Sequence, residues 1–325
     1  MSSKERGNNE MKISMVIPCY NSSQTISGVV KQVEEIYIQM GVDYEIILVN
    51  DCSRDSTWEV IYGLAKQNNK IKGLDLSKNS GQHAAAMAGF RASDGDYVMA
   101  CDDDGQTPIE HIPEMVKLLQ EENLDAVCAK YIQRENRSIL RTWGSALYQK
   151  LVFWFIDAPA GLVPSIFMVT RRYVIDEICR FYQPYPMFGA LLLRTTHRVK
   201  NIEVEQHKRK AGKSGYTFRK LVHTFFNGFV AFSIKPLRFS TTVGIGSSVF
   251  GFAYGIYVII RKLLYPSVAK GWSSTTSIIM IMTGLILMAL GMIGEYLGRM
   301  YMTIAQTPQY VVRESINVER EEANE

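Results

Sequence analysis

The sequence lacks the cysteine patterns of disulfide-stabilised and zinc-binding proteins. Its 325 residues include five cysteines, an odd number, and none of them form a CxxC pair. A structural disulfide framework or a structural zinc site is therefore not expected, and a reducing compartment is favoured. The first eleven residues contain no apolar run, so no secretory signal is predicted, and we expect residues 1–11 to be a disordered lead.

The chain also lacks a strong net charge, which is formally +4. Its basic residues are unevenly placed, however, because residues 198–238 carry ten Lys or Arg against two Glu just before a long apolar stretch. Such a block is typical of a membrane surface or of polyanion binding. Hydrophobic residues make up 47% of the chain, enough to fill a sizeable core, which excludes disordered and fibrous classes.

From Lys12 onward, short apolar runs alternate with amphipathic segments. This alternation predicts βαβ units, and therefore a mostly parallel sheet with helices on both faces, a Rossmann-like α/β domain. In such sheets ligands bind beyond the carboxyl ends of the strands. Polar residues follow each of the first four predicted strands at that edge, namely residues 20–21, 50–51, 77–79 and 102–104. The sequence therefore predicts a ligand site there.

Two uncharged runs follow the basic block, at residues 239–260 and 271–294. At about 1.5 Å per residue, each reaches roughly the 30 Å of a bilayer's hydrocarbon core. Two buried core helices would give the same pattern, but the length and adjacency of the runs favour a transmembrane hairpin with spans at about 239–262 and 271–296. The basic block predicts that the catalytic domain and both termini are cytoplasmic, with 298–325 as a polar tail.

Residues 216–238 join the predicted sheet domain to the spans. Aromatic residues recur there at helical spacing beside Arg219 and Lys220, which predicts an amphipathic helix in the headgroup region, although a core helix would show the same stripe. The acidic, polar sequence from Arg313 onward predicts disorder. Glycines in the spans permit close helix packing, within one chain or in a homo-oligomer.

The segment CDDDGQTP places three carboxylates in a row after the fourth predicted strand. Hard oxygen ligands suit Mg²⁺ or Mn²⁺ shared with a diphosphate, and adjacent carboxylates repel one another unless a cation neutralises them. A solvated loop could have the same composition. The position at the carboxyl end of a strand favours the metal site.

Five segments resemble, in order and spacing, the inverting family 2 glycosyltransferases of the GT-A fold. They are SMVIPCYN (14–21), ILVNDCSRDST (47–57), LSKNSGQHAAAMAGF (76–90), GDYVMACDDDGQTPIE (95–110) and HKRKAGKSGYTFRKL (207–221). With two spans and GEYLGR (294–299), the chain is most similar to polyprenyl-phosphate glycosyltransferases, relatives of dolichyl-phosphate mannose synthase and bactoprenol glucosyltransferases. The resemblance implies a GT-A catalytic domain over residues 12–215.

This resemblance also implies the nucleotide-binding residues, which are Pro18, Tyr20, Asn21, Asp51 and Lys78. Tyr20 offers a ring face for stacking, and Asp51 would accept a hydrogen bond from the base. Asp51 could instead be a turn residue before the next helix, and the two roles are compatible.

The metal ligands implied by the resemblance are Asp102, Asp104 and Gln106, which leaves Asp103 to orient the donor sugar or the acceptor. The basic stretch resembles a flexible loop that closes on phosphate, and this implies the phosphate-binding candidates Arg209, Lys213 and Ser214, with Lys130 as a further one. Attraction to anionic lipid headgroups is an alternative reading of the same basic stretch, compatible with the first.

Three positions depart from the family pattern. Cys52 stands where many relatives have glycine, which removes a residue tolerant of positive φ. Ser165 and Phe167 stand where many relatives have charged residues, including an aspartate. A phosphate monoester is already anionic at neutral pH and needs no general base, so a missing aspartate is compatible with a phosphate acceptor and argues against a hydroxyl acceptor.

The resemblance implies transfer of a hexose or N-acetylhexosamine from a nucleotide-sugar to polyprenyl phosphate for cell-envelope glycans. UDP is favoured over GDP, the lipid bilayer is a partner, and no nucleic acid is expected. Three alternatives stay open. A processive polysaccharide synthase would carry a QxxRW motif and more spans, which the sequence lacks. The others are a membrane-anchored transferase with a hydroxyl acceptor and a non-catalytic scaffold of the same fold.

Overall fold

The computed structural model describes residues 11–132, 161–182, 186–207, 235–264, 271–305 and 307–318. The chain divides into two compact units, one of Met1–Thr217 with Gln306–Glu325 and one of Phe218–Ala305. The predicted lead and the predicted interfacial helix lie almost wholly outside the described residues. Their structure therefore stays a prediction.

The described part of the first unit contains eight strands and six α-helices. The strands are β1 (Lys12–Cys19), β2 (Asp43–Asn50), β3 (Ile71–Leu76), β4 (Tyr97–Ala100), β5 (Ala126–Tyr131), β6 (Met168–Arg171), β7 (Val199–Val204) and β8 (Val312–Ile316). The helices are α1 (Ile26–Met40), α2 (Thr57–Gln67), α3 (Gln82–Ala92), α4 (Ile112–Glu121), α5 (Arg172–Cys179) and α6 (Phe188–Thr195).

These strands form one sheet in the order β7-β5-β6-β4-β1-β2-β3-β8. β1 pairs in parallel with β2 and β4, β2 with β3, and β5 with β7, whereas β6 and β8 run antiparallel to their neighbours. The predicted mostly parallel α/β sheet is therefore confirmed. β1 and β2 are buried along nearly their whole length, as expected for central strands covered on both faces.

The helices bury the faces that their sequences predict. In α1 the buried residues recur with helical periodicity, as at Ile26, Val30 and Val33, and the helix ends at Gly41, whose φ of +64° gives a left-handed cap. The alanine-rich α3 lies directly on β1, because a Cβ added to Gly89 would come within 2.3 Å of the Val16 side chain. This close approach requires glycine at position 89.

The second unit contains two long helices, α7 (Lys235–Leu264) and α8 (Trp272–Ile304), which pack against each other. Both predicted spans fall within these helices. Among the described residues, one segment, Ile281–Ile304, is long and apolar enough to cross a membrane. The first half of α7 is rich in Ser, Thr and Gly, which lowers its hydropathy. The two-span topology therefore stays a prediction.

The predicted disorder of the tail is wrong for β8. This strand pairs antiparallel with β3, with Gly73 opposite Ile316. The side-chain amide of Asn317 donates to the carbonyl of Ile71 at 2.8 Å. Without β8, one side of β3 would present unpaired backbone groups, and such an edge is costly to leave open. The C-terminal segment therefore completes the sheet.

Candidate active site

The turns after β1 and β2 meet at the carboxyl edge of the sheet and are tied together by hydrogen bonds. The Asp51 amide donates to the Cys19 carbonyl at 2.9 Å, and the Asn21 amide donates to the Ser53 hydroxyl at 3.0 Å. The Asn21 side-chain oxygen accepts from the Arg54 amide at 2.9 Å. The backbone amide and side-chain oxygen of Asn21, a predicted nucleotide-binding residue, thus hold the two turns together.

The three carboxylates of the acidic cluster have different partners. The strand β4 ends at Ala100, so the cluster lies in the turn that follows. Asp103 accepts a hydrogen bond from the Tyr20 amide at 2.9 Å, which joins this turn to the one after β1. Burial raises the pKa of Asp103, and the hydrogen bond from Tyr20 opposes that shift. Asp103 is therefore placed to hold the turns together.

All three carboxylates are partly exposed, and because Asp103 is bonded to the Tyr20 amide, Asp102 and Asp104 are better placed to serve as ligands. Asp102 Oδ1 accepts a hydrogen bond from Gln82 Nε2 at 2.6 Å, and Asp104 Oδ1 accepts one from the Gln106 amide at 3.0 Å. The φ of +71° at Gly105 closes the turn. Sequence reasoning missed Gln82, whose signal was its place at the start of a helix that follows a predicted strand.

The donor set of the cluster fits a metal shared with a substrate. Within the described ranges, no three His, Cys, Asp or Glu side chains converge as a self-sufficient metal cage. Mg²⁺ is commonly held by one or two carboxylates together with substrate phosphates and water. Partly exposed carboxylates at the strand edge match that arrangement and do not match a structural metal site.

Gln106 joins the acidic turn to the segment after β7. Its side-chain amide donates to the His207 carbonyl at 3.2 Å, and the His207 amide donates to the Gln106 carbonyl at 3.0 Å. The His207 ring pairs with Glu110 at 2.8 Å. A role for Gln106 as a metal ligand stays a prediction. The phosphate-binding candidates Arg209, Lys213 and Ser214 lie outside the described residues.

Asp51 is buried and holds the loop that leads into α3. Its two carboxylate oxygens accept hydrogen bonds from the amides of Ser80 at 2.7 Å and Gly81 at 2.9 Å. Burial raises the pKa of Asp51, whereas these amide hydrogen bonds lower it. Each carboxylate oxygen has a second lone pair, so accepting a hydrogen bond from a base as well is a compatible, untested role.

The other predicted nucleotide residues differ in exposure. Tyr20 is 46% exposed, which leaves its ring accessible for stacking, and Lys78 is exposed after β3. Pro18 is buried within β1, so it can shape the edge only indirectly. Cys52 has a φ of +53°, in the left-handed region that favours glycine. Cys52 thus adopts the backbone conformation that glycine tolerates best.

Lys130, the remaining phosphate-binding candidate, is paired with an acid. Its ammonium lies 2.7 Å from a carboxylate oxygen of Glu203, and the two residues are opposite each other on β5 and β7. Both side chains are partly solvent-exposed, so the pair is weak. The structure therefore places Lys130 in a cross-strand ion pair, and its role in phosphate binding stays a prediction.

A polar relay behind the turn after β2 was not foreseen from the sequence. Asp75, near the end of β3, is fully buried, and its carboxylate accepts hydrogen bonds from Asn50 Nδ2 at 2.7 Å and from Arg313 Nε at 2.7 Å. Asn50 Oδ1 in turn accepts from the Ser53 amide at 3.2 Å. The C-terminal strand is thus connected to the turn that carries Asp51.

Two family descriptions match the chain. Glycosyl transferase family 2 matches residues 14–179, and the GtrB C-terminal hairpin matches residues 235–300. The first region contains the turns and the acidic cluster, and the second contains α7 and most of α8. Together the two matches cover most of the first unit's described strands and about three quarters of the second unit.

Relatives match over almost the full length. The chain is 29% identical over 309 residues to an uncharacterized glycosyltransferase, YkcC, from Bacillus subtilis (strain 168), covering 95% of each chain. It is 30% identical to an undecaprenyl-phosphate 4-deoxy-4-formamido-L-arabinose transferase from Shewanella sediminis (strain HAW-EB3), covering 93% of this chain and 92% of that one.

A solved structure has the same fold as the first unit. Glucosyl-3-phosphoglycerate synthase from Mycobacterium tuberculosis, in complex with Mn²⁺, UDP-glucose and phosphoglyceric acid, aligns with a TM-score of 0.50 at 19% identity, covering 68% of this chain and 78% of that one. The likeness supports the GT-A fold that the sequence predicts. With the family match over more than half of its length, the chain belongs to glycosyl transferase family 2.

Proposed function

We propose that the chain is a metal-dependent membrane glycosyltransferase that moves a sugar from a nucleotide-sugar to a polyprenyl phosphate. The observation that carries the proposal is the junction of the acidic cluster with the predicted nucleotide turns at one sheet edge, where Asp103 binds the Tyr20 amide. Full-length relatives named as undecaprenyl-phosphate transferases support undecaprenyl phosphate as the acceptor. We take the donor to be a UDP-hexose or UDP-N-acetylhexosamine.

Each predicted residue at the carboxyl edge of the sheet has a different role in donor binding. Tyr20 stacks against the base, Asp51 holds the loop before α3, and Lys78 contacts the nucleotide. Asp102, oriented by Gln82, and Asp104 present oxygen ligands, and Gln106 is the third predicted ligand. A bound Mg²⁺ or Mn²⁺ would supply charge neutralisation for the departing diphosphate. The chain's own contribution is alignment of two substrates, which accounts for much of catalysis in such transfers.

The bond changes need no protein base. An oxygen of the acceptor phosphate attacks the anomeric carbon, and the bond from that carbon to the diphosphate breaks, with its electron pair leaving on the nucleoside diphosphate. A phosphate monoester carries about −1.5 to −2 charge at pH 7, so no proton has to be removed before attack. A hydroxyl acceptor would need a general base to achieve the same attack.

We further propose that α7 and α8 form a transmembrane hairpin, with the catalytic unit and both termini in the cytoplasm. The pairing of β8 with β3 supports this topology, because the chain must return to the side from which it left, so the number of crossings is even. Apolar side chains on both helices are exposed, including Phe252 at 74% and Ile304 at 77%. The basic residues between 198 and 238 support a cytoplasmic catalytic unit.

A transfer assay tests the reaction. The purified chain in lipid vesicles, given UDP-sugars, undecaprenyl phosphate and Mn²⁺, is expected to form a lipid-linked sugar, and EDTA is expected to stop the reaction. Undecaprenol is the matched control because it has the same hydrocarbon chain but ends in a hydroxyl. Equal transfer to undecaprenol would refute the phosphate acceptor. If the chain transferred sugar from no UDP-sugar or GDP-sugar to any acceptor, a non-catalytic scaffold would be favoured instead.

Removing the hairpin is expected to impair use of the membrane-embedded acceptor selectively. Residues 235–305 would be replaced by a flexible linker, with residues 307–318 kept because β8 belongs to the catalytic sheet. Loss of membrane co-localisation should lower the rate with undecaprenyl phosphate in vesicles by about 10²-fold. A short, water-soluble prenyl phosphate is the matched acceptor, and its turnover should persist. Equal losses with both acceptors would contradict a role for the hairpin in acceptor access.

A further inference from the structure

The edge of the sheet that carries the acidic cluster continues to the end of β5 and the start of β6. The antiparallel pairing of these strands puts Cys128 opposite Met168. Continued by three residues, the same register puts Tyr131, the last residue of β5, opposite Ser165 in the segment that leads into β6. β6 also pairs with β4, which ends just before Asp102. Ser165 therefore lies between Tyr131 and the acidic turn along the edge.

Three hydroxyl groups meet at this place. The Tyr131 hydroxyl lies beside the side chains of Thr107 and Ser165, and burial raises its pKa well above the usual range, so it stays protonated. The Thr107 hydroxyl accepts a hydrogen bond from the Asp102 amide at 3.3 Å. Tyr131 and Ser165 are thus connected, through Thr107, to the predicted metal-binding turn.

Among the described residues, the segment that leads into β6 has no ionisable side chain. The segment that carries Ser165, residues 161–167, reads GLVPSIF and contains no acidic or basic side chain. Lys130, beside Tyr131, is paired with Glu203 on β7. A hydroxyl group donates a hydrogen bond readily but is a poor general base, because its ordinary pKa is far above 7.

The order of the strands sets the direction in which a bound donor would extend. The predicted nucleotide turns follow β1, β2 and β3, and the acidic turn follows β4. With the diphosphate at the acidic turn, the donor sugar would extend away from the nucleotide turns, toward β6 and β5. In a displacement with inversion the nucleophile approaches opposite the leaving diphosphate, so the acceptor reaches the sugar from the β6 and β5 side.

We propose, resting on the function given above, that Tyr131 and Ser165 form the subsite for the phosphate of the acceptor. Their neutral hydroxyls donate to the phosphate oxygens without removing a proton, and this selects a phosphate monoester over an alcohol. A carboxylate at position 165 would repel the phosphate across a short distance. Repulsion between like charges a few ångströms apart near a protein surface is worth about 10²-fold or more in binding or rate.

The test compares Ser165→Asp with Ser165→Asn, two substitutions of nearly equal size that differ in charge. The expected result is that kcat/KM for undecaprenyl phosphate is about 10²-fold lower in the aspartate variant than in the asparagine variant. UDP affinity, measured with Mn²⁺ by calorimetry, should be the same in both. Tyr131→Phe should raise KM for the acceptor about tenfold, since a hydrogen bond to a charged group is lost, and leave KM for the donor unchanged.

Each outcome decides between the subsite and the wider function. If the wild-type chain transfers sugar to undecaprenyl phosphate and the two Ser165 variants perform alike, the subsite is refuted while the proposed function stands. Weaker UDP binding in the aspartate variant alone would place Ser165 on the donor side and likewise refute the subsite. If the wild-type chain transfers sugar to undecaprenol and not to the phosphate, both proposals fail together.

Discussion

Asp104→Asn is expected to lower metal-dependent sugar transfer by about 10³-fold or more while the chain stays folded and membrane-bound. Asparagine has nearly the same shape, and its side-chain oxygen can keep the hydrogen bond from the Gln106 amide that Asp104 accepts at 3.0 Å. What the substitution removes is a negative charge. Since Asp102 and Asp104 are the carboxylates proposed to bind the cation, losing one leaves a site too weak to hold the metal and the diphosphate together.

The measurement is the initial rate of lipid-linked sugar formation at increasing Mn²⁺, with thermal unfolding as the check on folding. Asp96→Asn is the matched control because Asp96 lies just before β4, at the opposite end of that strand from the acidic turn, where it accepts a hydrogen bond from the Lys12 amide at 2.9 Å. It should leave the Mn²⁺ dependence unchanged. A rate for Asp104→Asn close to the wild-type value would remove Asp104 from the metal site.

The central part of the fold could be predicted because its signals are local. Buried parallel strands are continuous apolar runs, and the helices between them show a clear helical period, so the predicted alternation of strands and helices is observed from β1 to β4. β8 gave no comparable signal. It is five residues long, lies in a polar tail, and forms by pairing with a strand more than two hundred positions earlier. Such pairing depends on the tertiary structure and not on local propensity.

The sequence predicts which turns form the site. It does not predict which hydrogen bonds each carboxylate makes. Strand ends located Asp51 and the acidic turn correctly at one edge. Three identical neighbours give no hint that Asp103 is the carboxylate bonded to the Tyr20 amide. Nor does the sequence reveal that the carboxylate oxygens of Asp51 accept hydrogen bonds from the backbone amides of Ser80 and Gly81. Those assignments depend on loop conformation, which adjacent residues in the chain do not determine.

Arg313→Met is expected to weaken donor binding as well as stability, although Arg313 lies far along the chain from every predicted site residue. The substitution leaves the Asp75 carboxylate, which is fully buried, without its cation. A buried carboxylate that loses its partner is strongly destabilising. Asp75 also holds Asn50, and Asn50 accepts from the Ser53 amide in the turn next to Asp51. The melting temperature should fall by about 5 °C or more, and KM for the nucleotide-sugar should rise while KM for the acceptor changes little.

The double variant Arg313→Met with Asp75→Asn separates loss of a buried charge pair from general damage to β8. Asparagine at position 75 can still accept the hydrogen bond from Asn50 but carries no charge that needs a cation. The double variant should therefore be more stable than Arg313→Met alone and should recover part of the donor affinity, a non-additivity expected of residues in direct contact. Additive losses would mean that Arg313 acts only by anchoring the strand. Recovery would mean that the segment after the hairpin supports the nucleotide turn through Asp75.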